Sequence, residues 1–237
     1  MADKVLISGI EIEVTKKNIK NMHLSVLPPN GNVRISAPLN SKDDAIKLFA
    51  ITKIGWIKKQ IKKFENQRRQ SEREYVSGES HYLWGRRYRL EINYTRTANK
   101  VETRGNKLIL IVRDNSTQQQ RGNVMLEWYR AQMKEKLPEL IEKWEVIIGV
   151  KANTVSVKNM LTKWGTCNTK DKRVWINLQL AKKPVECLEY VAVHELVHLL
   201  EKNHTLAFIG YMDKFLPDWR VTKEELNSFI MDRYLEE

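Results

Sequence analysis

His194-Glu195-Leu196-Val197-His198, with His204 six residues further on, decides how this 237-residue chain is read. Residues four apart on an α-helix share a face, one turn apart. Two imidazoles at that spacing can grip one metal ion, and the Glu between them reaches a water bound to that ion. A third histidine from the following segment completes a three-nitrogen set and leaves one position open. The chain has five His, and three of them fall within eleven residues. The pattern predicts one divalent ion per chain, zinc first, with His194, His198 and His204 as ligands and Glu195 as general base. Zinc lowers the pKa of bound water to about 7, which supplies a hydroxide nucleophile at neutral pH.

The competing reading is a surface helix with two solvated His and a solvated Glu. The flanks weigh against it. Tyr190 to Leu200 is an apolar run in which an unliganded Glu is costly to bury. Leu188, Val191, Ala192, Leu196 and Leu199 recur at near-helical spacing and form an apolar body behind the His face. Pro184 stands where a helix would start, a position that tolerates its missing N–H. Tyr190 lies one turn before His194. Asn203, able to adopt the left-handed conformation that ends a helix, is expected to turn the chain so that His204 comes back to the metal.

Hydrophobic residues make up 42% of the chain, enough for a substantial core. Cys167 and Cys187 do not make a disulfide framework and suggest a reducing, cytoplasmic compartment. Met1 to Val14 carries Asp3, Glu11 and Glu13 and has no signal-peptide apolar core. No apolar run approaches a membrane span of about 20 residues, so no membrane partner is expected. The net charge of +12 is unevenly placed. Residues 1–120 hold 23 basic and 12 acidic residues, a net +11, and residues 121–237 hold 18 and 17, a net +1. The basic half suggests a polyanion or a phosphate-bearing substrate. A merely solvated basic face is the plainer explanation.

Residues 5–14 and 20–37 alternate as strands do, with Pro28-Pro29-Asn30-Gly31 as a turn. Ser41-Lys42-Asp43-Asp44 looks like a helix start, and one helix is predicted from there to about Gln70. Its apolar set is Ala45, Leu48, Phe49, Trp56, Ile57, Ile61 and Phe64, and Lys58, Lys59, Lys62, Lys63, Arg68 and Arg69 charge its second half. Residues 75–113 are again strand-like, with Leu108 to Val112 the clearest strand. Asp114 to Gln120 is polar and reads as a boundary. A long helix is expected over Arg121 to Ile148, kinked or restarted at Pro138. Strands at 154–158 and 173–180 flank the loop Lys163-Trp164-Gly165-Thr166-Cys167. A helix over Leu206 to Phe215 follows the metal helix, and Thr222-Lys223-Glu224-Glu225 suggests a capping box for a last one. No internal repeat is visible. The fold class is α+β: a β-rich basic region with one long helix over 1–115, and a small zincin-like core with the metal helix over 116–237.

Lys163, Trp164, Gly165 and Asn177, just upstream of the metal helix, are candidate substrate-binding residues together with Tyr190. An edge strand here would pair with an extended peptide. Trp164 would floor a pocket and Lys163 would meet an anionic group.

With these pieces placed, the chain resembles the YgjP-like family of metal-dependent hydrolases, kin of SprT- and WLM-type zinc peptidases. The resemblance rests on Lys163 to Cys167, Asn177-Leu178 with Leu180, Val191 to Leu199, Asn203-His204 with Phe208, and Leu216-Pro217-Asp218-Trp219. Trp56-Ile57, Gly78 and Trp84-Gly85 carry a weaker N-terminal match. Glu201 stands where the related metzincin pattern has Gly. The resemblance implies a small metallopeptidase-like core with His194, His198 and His204 on the metal and Glu195 as base. A peptide-cleaving zinc hydrolase is the first expectation. A nucleoside triphosphate pyrophosphohydrolase using the same metal hydroxide is the second, although no P-loop is present. A nucleic-acid-associated protein with a metal site is the third.

Overall fold

Four short strands before residue 40 and four after residue 79 are arranged in the same way. The computed structural model describes residues 3–27, 31–65, 73–160 and 162–229, with side chains up to residue 62 in the second of these stretches. The turn residues Pro28 to Asn30, the end of the expected helix at Gln70 with Arg68 and Arg69, and the side chains of Lys63 and Phe64 lie outside the described residues. The chain divides into two compact units, residues 1–70 and 71–237. The division therefore falls at 70/71 and not at 115/116.

The first unit has β1 (Asp3–Ile7), β2 (Ile10–Lys17), β3 (His23–Leu27) and β4 (Asn32–Pro38), in the sheet order β1-β2-β4-β3. β1 and β2 are antiparallel, β2 and β4 parallel, β4 and β3 antiparallel. Ser8 and Gly9 join the first pair with φ of 49° and 79°. Positive φ at both central residues is the turn whose twist matches that of a hairpin. Ile12, Val14, Val33, Ile35 and Ala37 alternate inward as the period of two requires, onto Ile46, Ala50 and Ile57. The last three come from α1 (Asp43–Thr52) and α2 (Ile54–Glu65), so the single helix expected from Ser41 is two. Lys53 breaks it, its N–H turned to the carbonyls of Ala50 and Ile51. Lys42 is the N-cap and makes no side-chain cap bond, so the acids at 43 and 44, not a capping oxygen, mark the start.

The second unit opens with β5 (Ser80–Leu83), β6 (Arg86–Thr95), β7 (Lys100–Arg104) and β8 (Lys107–Arg113), in the order β5-β6-β8-β7 with β6 and β8 parallel. Trp84 and Gly85 form its first turn, with φ of 49° and 79°. The topology repeats that of the first unit strand for strand, a repeat that the sequence does not display. Here the inward residues Tyr88, Leu90, Leu108, Leu110 and Val112 share one core with Met125, Tyr129 and Met133 of α3 (Gln118–Ile148). That shared core is why the polar segment 114–120 is no boundary. It is a turn ending in a capping box, in which the Thr117 side chain accepts from the Gln120 N–H and the Gln120 side chain from that of Thr117. α3 runs unbroken through Pro138 and ends at Gly149 in the left-handed conformation.

β9 (Thr154–Lys158), β10 (Gly165–Asn168) and β11 (Arg173–Asn177) form a third sheet in the order β10-β11-β9. β11 ends at Asn177, and 178–182 is a 3-10 turn, not a continuing strand. α4 (Val185–Val197), α5 (Leu206–Phe215) and α6 (Trp219–Ser228) complete the unit. α6 begins three residues before Thr222, so the expected capping box lies inside it. No described helix is long and apolar enough to cross a membrane.

Candidate active site

Nine of the thirteen residues of α4 are buried, among them Leu188, Val191, Ala192, Val193, Leu196 and Val197. A helix buried over most of its surface is a core element, and its position is fixed by what surrounds it. At its start the Trp84-Gly85 turn docks, the Trp84 N–H donating to the Ala181 carbonyl at 2.8 Å. A Cβ on Gly85 would stand 3.1–3.2 Å from Pro184, so this glycine serves both a positive φ and a close approach. In the middle, the Glu189 carboxylate accepts from Lys143 Nζ and Trp144 Nε1 of α3, each at 2.8 Å. His194 and Glu195 occupy the last turn and His198 is the C-cap, with φ −61°.

Glu201 shapes the return to His204. Its carbonyl lies 3.2 Å from His198 Nδ1, and its side chain accepts from the Asn203 N–H at 3.2 Å. Asn203 does not take a positive φ, which corrects the expectation of a left-handed turn there. Thr205 caps α5 by accepting from the Phe208 N–H, which fixes the segment on the other side of His204.

His194, His198 and His204 each offer a ring nitrogen within 4.8 Å of the others. The Nε2 atoms of His194 and His204 face each other at 3.0 Å. Two nitrogens on one tetrahedral ion at about 2.1 Å stand roughly 3.4 Å apart, so the set is of the right size. With His198 Nδ1 turned to the Glu201 carbonyl, its Nε2 is left for a ligand. Burial, with the neighbouring His198, His204 and Lys223 adding, pushes the His194 pKa down to about 3. Burial also lowers that of His198 against the opposing Glu201 carbonyl. Neutral imidazoles are the form that binds metal. Three imidazole donors and no thiolate suit a borderline divalent cation such as zinc.

Glu195 is 6% exposed, and burial raises its pKa to about 8 while the Lys163 charge draws it down. A divalent charge nearby favours the carboxylate and acts against that shift. Gly165 explains where the side chain rests. A Cβ at Gly165 would lie 2.6 Å from Glu195 Oε1, 2.7 Å from its Cγ and 2.8 Å from Val191. The β10 backbone thus packs directly on the Glu195 carboxyl. Gly165→Ala is expected to displace Glu195 and reduce hydrolysis by one to two orders of magnitude with the metal content unchanged; a rate equal to that of the parent protein refutes this contact as a determinant.

The other candidates separate. Lys163 is exposed near Glu195, and Trp164 is half-buried against the core. Asn177 is fully buried, and its amide N–H groups donate to the carbonyls of Met160 and Lys163 at 2.8 and 2.6 Å. Its Oδ1 accepts from the Gln179 N–H at 3.1 Å. Asn177 holds the loop that carries Lys163 from beneath. Tyr190 meets the edge of the His194 ring at 5.8 Å and stacks on Trp219 at 6.3 Å, and its pKa rises to about 12 through burial and the Glu195 charge. Cys167 lies close enough to Glu195 for that charge to add to burial in raising its thiol pKa to about 11, so it is a thiol and not a thiolate at neutral pH.

Two residues of the site have no role that the sequence pattern assigns. Phe208, 2% exposed, has its ring centroid 4.9, 4.7 and 4.8 Å from those of His194, His198 and His204. It is the apolar wall common to all three imidazoles. Its sequence signal is its place in the Asn203-His204 motif that carries the family resemblance. Trp219 backs Tyr190 and donates its Nε1–H to Asp213 at 2.8 Å, and no local signal links it to His194.

The family model described as YgjP-like, metallopeptidase domain matches residues 20–229. No curated protein matches the chain. Among solved structures, the metallopeptidase zymogen abylysin of Pyrococcus abyssi is similar at 17% identity and TM-score 0.37, over 41% of this chain and 97% of that one. The metallopeptidase zymogen jannalysin of Methanocaldococcus jannaschii is similar at 18% identity and TM-score 0.35, over 38% and 91%. With the family model spanning most of the sequence, the chain belongs to the YgjP-like metallopeptidase family and is a metal-dependent hydrolase.

Proposed function

We propose that the chain is a zinc-dependent peptidase in which Glu195 is the general base. The observation that carries the reading is the buried Glu195 carboxyl, packed against the backbone of an edge strand and next in sequence to His194 of the three-imidazole cluster. His194, His198 and His204 would hold the ion, which when bound supplies Lewis acidity toward a carbonyl and a water of lowered pKa. Glu195 takes the proton of the attacking water and delivers it to the leaving amide nitrogen. Its apolar setting favours such a shuttle, because burial brings the carboxyl pKa toward neutrality. β10 is an outer strand among the described residues, and its free edge can align an extended peptide beside Glu195. Lys163 stands at the same place to meet an anionic group, and Tyr190 to hold the His194 ring.

A side-by-side turnover assay tests the substrate class. Unstructured peptides are expected to be cleaved by the zinc-loaded protein and spared after chelation. Hydrolysis of nucleoside triphosphates with peptides untouched moves the function to the pyrophosphohydrolase reading.

The first unit enters as a polyanion-binding element. Lys58, Lys59 and Lys62 of α2 are exposed and form no ion pair among the described residues, and Trp56 beside them is 46% exposed. Cations next to an aromatic platform suit single-stranded nucleic acid. Replacing the three Lys by Ala is expected to flatten the plot of log affinity for oligonucleotide against log salt by a slope of roughly 2. An unchanged slope reduces these lysines to a solvated face.

A further inference from the structure

Arg130, Lys134, Leu137 and Ile141 recur along α3 as one helical stripe. Across a cavity of about 400 Å³ they face Val155, Ser156 and Val157 of β9. Side chains of successive strand residues point to opposite faces, so three in a row line a groove only where it follows the edge of the strand. β9 is such an edge: it pairs with β11 on one side and, among the described residues, with no strand on the other. The second edge of a strand offers backbone N–H and C=O groups to an incoming chain. Buried Leu137 and Ile141, with half-buried Val155 and Val157, give the groove an apolar floor. Arg130 and Lys134 place two cations toward one end. Half-buried Arg130 meets the exposed Glu127 at 3.0 Å, three residues apart, and exposed Lys134 has no ion pair among the described residues. Pro138, in the same stripe, has no N–H, so the Lys134 carbonyl lacks its helical donor and remains an acceptor.

We propose that this groove docks an extended polypeptide segment bearing branched aliphatic side chains and a carboxylate. The segment adds as a strand to β9, places aliphatic side chains against Leu137 and Ile141, and sets its acidic group on Arg130 and Lys134. Main-chain hydrogen bonds supply affinity in such a mode, and the groove and the charges supply selectivity. β9 and β10 are opposite edges of one three-stranded sheet, about two strand spacings or ~10 Å apart. The docking edge is therefore not the one beside Glu195, and the proposal stands whether or not the protein cleaves peptides.

The test is fluorescence anisotropy on the full chain carrying Glu195→Gln, so that binding is read without turnover. The probe is a labelled nine-residue peptide alternating Val and Asp. Saturable micromolar binding is expected, weakened at least about tenfold by Arg130→Glu with Lys134→Glu. The same peptide N-methylated at alternate residues, which keeps its side chains and loses strand pairing, is expected to bind at least about tenfold more weakly. No saturable binding up to millimolar probe overturns the proposal. So does equal binding of the N-methylated peptide, or charge reversal without effect in a variant whose circular dichroism and melting match those of the parent.

Discussion

Glu195→Gln is expected to retain the metal and to lose peptide hydrolysis by about 10²–10⁴-fold, the contribution of a positioned general base. The exchange keeps the size of the side chain, so the tight contact with Gly165 survives and the loss reports proton transfer, not packing. The variant should also be at least as stable as the parent. The carboxyl sits in a place that disfavours its charge, with a pKa raised to about 8, and a neutral amide carries no such penalty. For a carboxyl with a raised folded pKa, the parent is destabilised as pH rises above the unfolded value, near 4.5. The stability difference between metal-free parent and variant should then grow from pH 5 to pH 8. Full activity in the variant refutes the role of Glu195, whatever its effect on stability.

His194→Ala is expected to abolish stoichiometric zinc. Two of three donors would remain, one of them, His204, on an exposed segment outside the helix. The measurement is elemental analysis of purified protein together with thermal unfolding with and without added zinc. A ligand that binds only the folded state stabilises by RT ln(1 + [L]/Kd), about 4 kcal/mol at a thousandfold excess over Kd. The parent should therefore show a zinc-dependent rise in Tm of several degrees, and the variant essentially none. Cavity formation at the imidazole position lowers the metal-free Tm as well, so the readout is the zinc-dependent increment and not the absolute value. A zinc increment in His194→Ala equal to that of the parent contradicts the ligand set.

Much of the site was legible in the sequence because its chemistry is local. The i, i+4 spacing of His194 and His198 is a property of the helix period alone, and so is the placement of Glu195 beside them. The apolar flanks said correctly that this helix is buried. The return of His204 follows from the sequence, but its device does not: Glu201 turns the chain with its own side chain and carbonyl, and Asn203 takes no positive φ.

The helix expected from Ser41 shows why periodicity alone misleads. Ile46, Ala50, Ile54, Ile57 and Ile61 keep helical spacing straight through Lys53, so nothing in the pattern marks the break between α1 and α2. The polar stretch 114–120 misleads in the opposite sense. Polarity there reflects a helix cap, and a cap looks like a linker until the core on either side of it is known.

By itself the sequence determined the α+β composition, the long helix α3, and the helix that carries His194 and His198, because each follows from short-range periodicity and the chemistry of side chains. Only the tertiary structure decided that the chain divides at 70/71, that the two four-stranded sheets share one topology, and that Gly165 must lack a side chain because Glu195 lies against it. These depend on which apolar faces meet, and on contacts between residues about thirty positions apart. Alternation along a strand says that one face is buried and is silent on which helix buries it. The wall that Phe208 makes for the three imidazoles belongs to the same class, since it exists only once α5 has closed against α4.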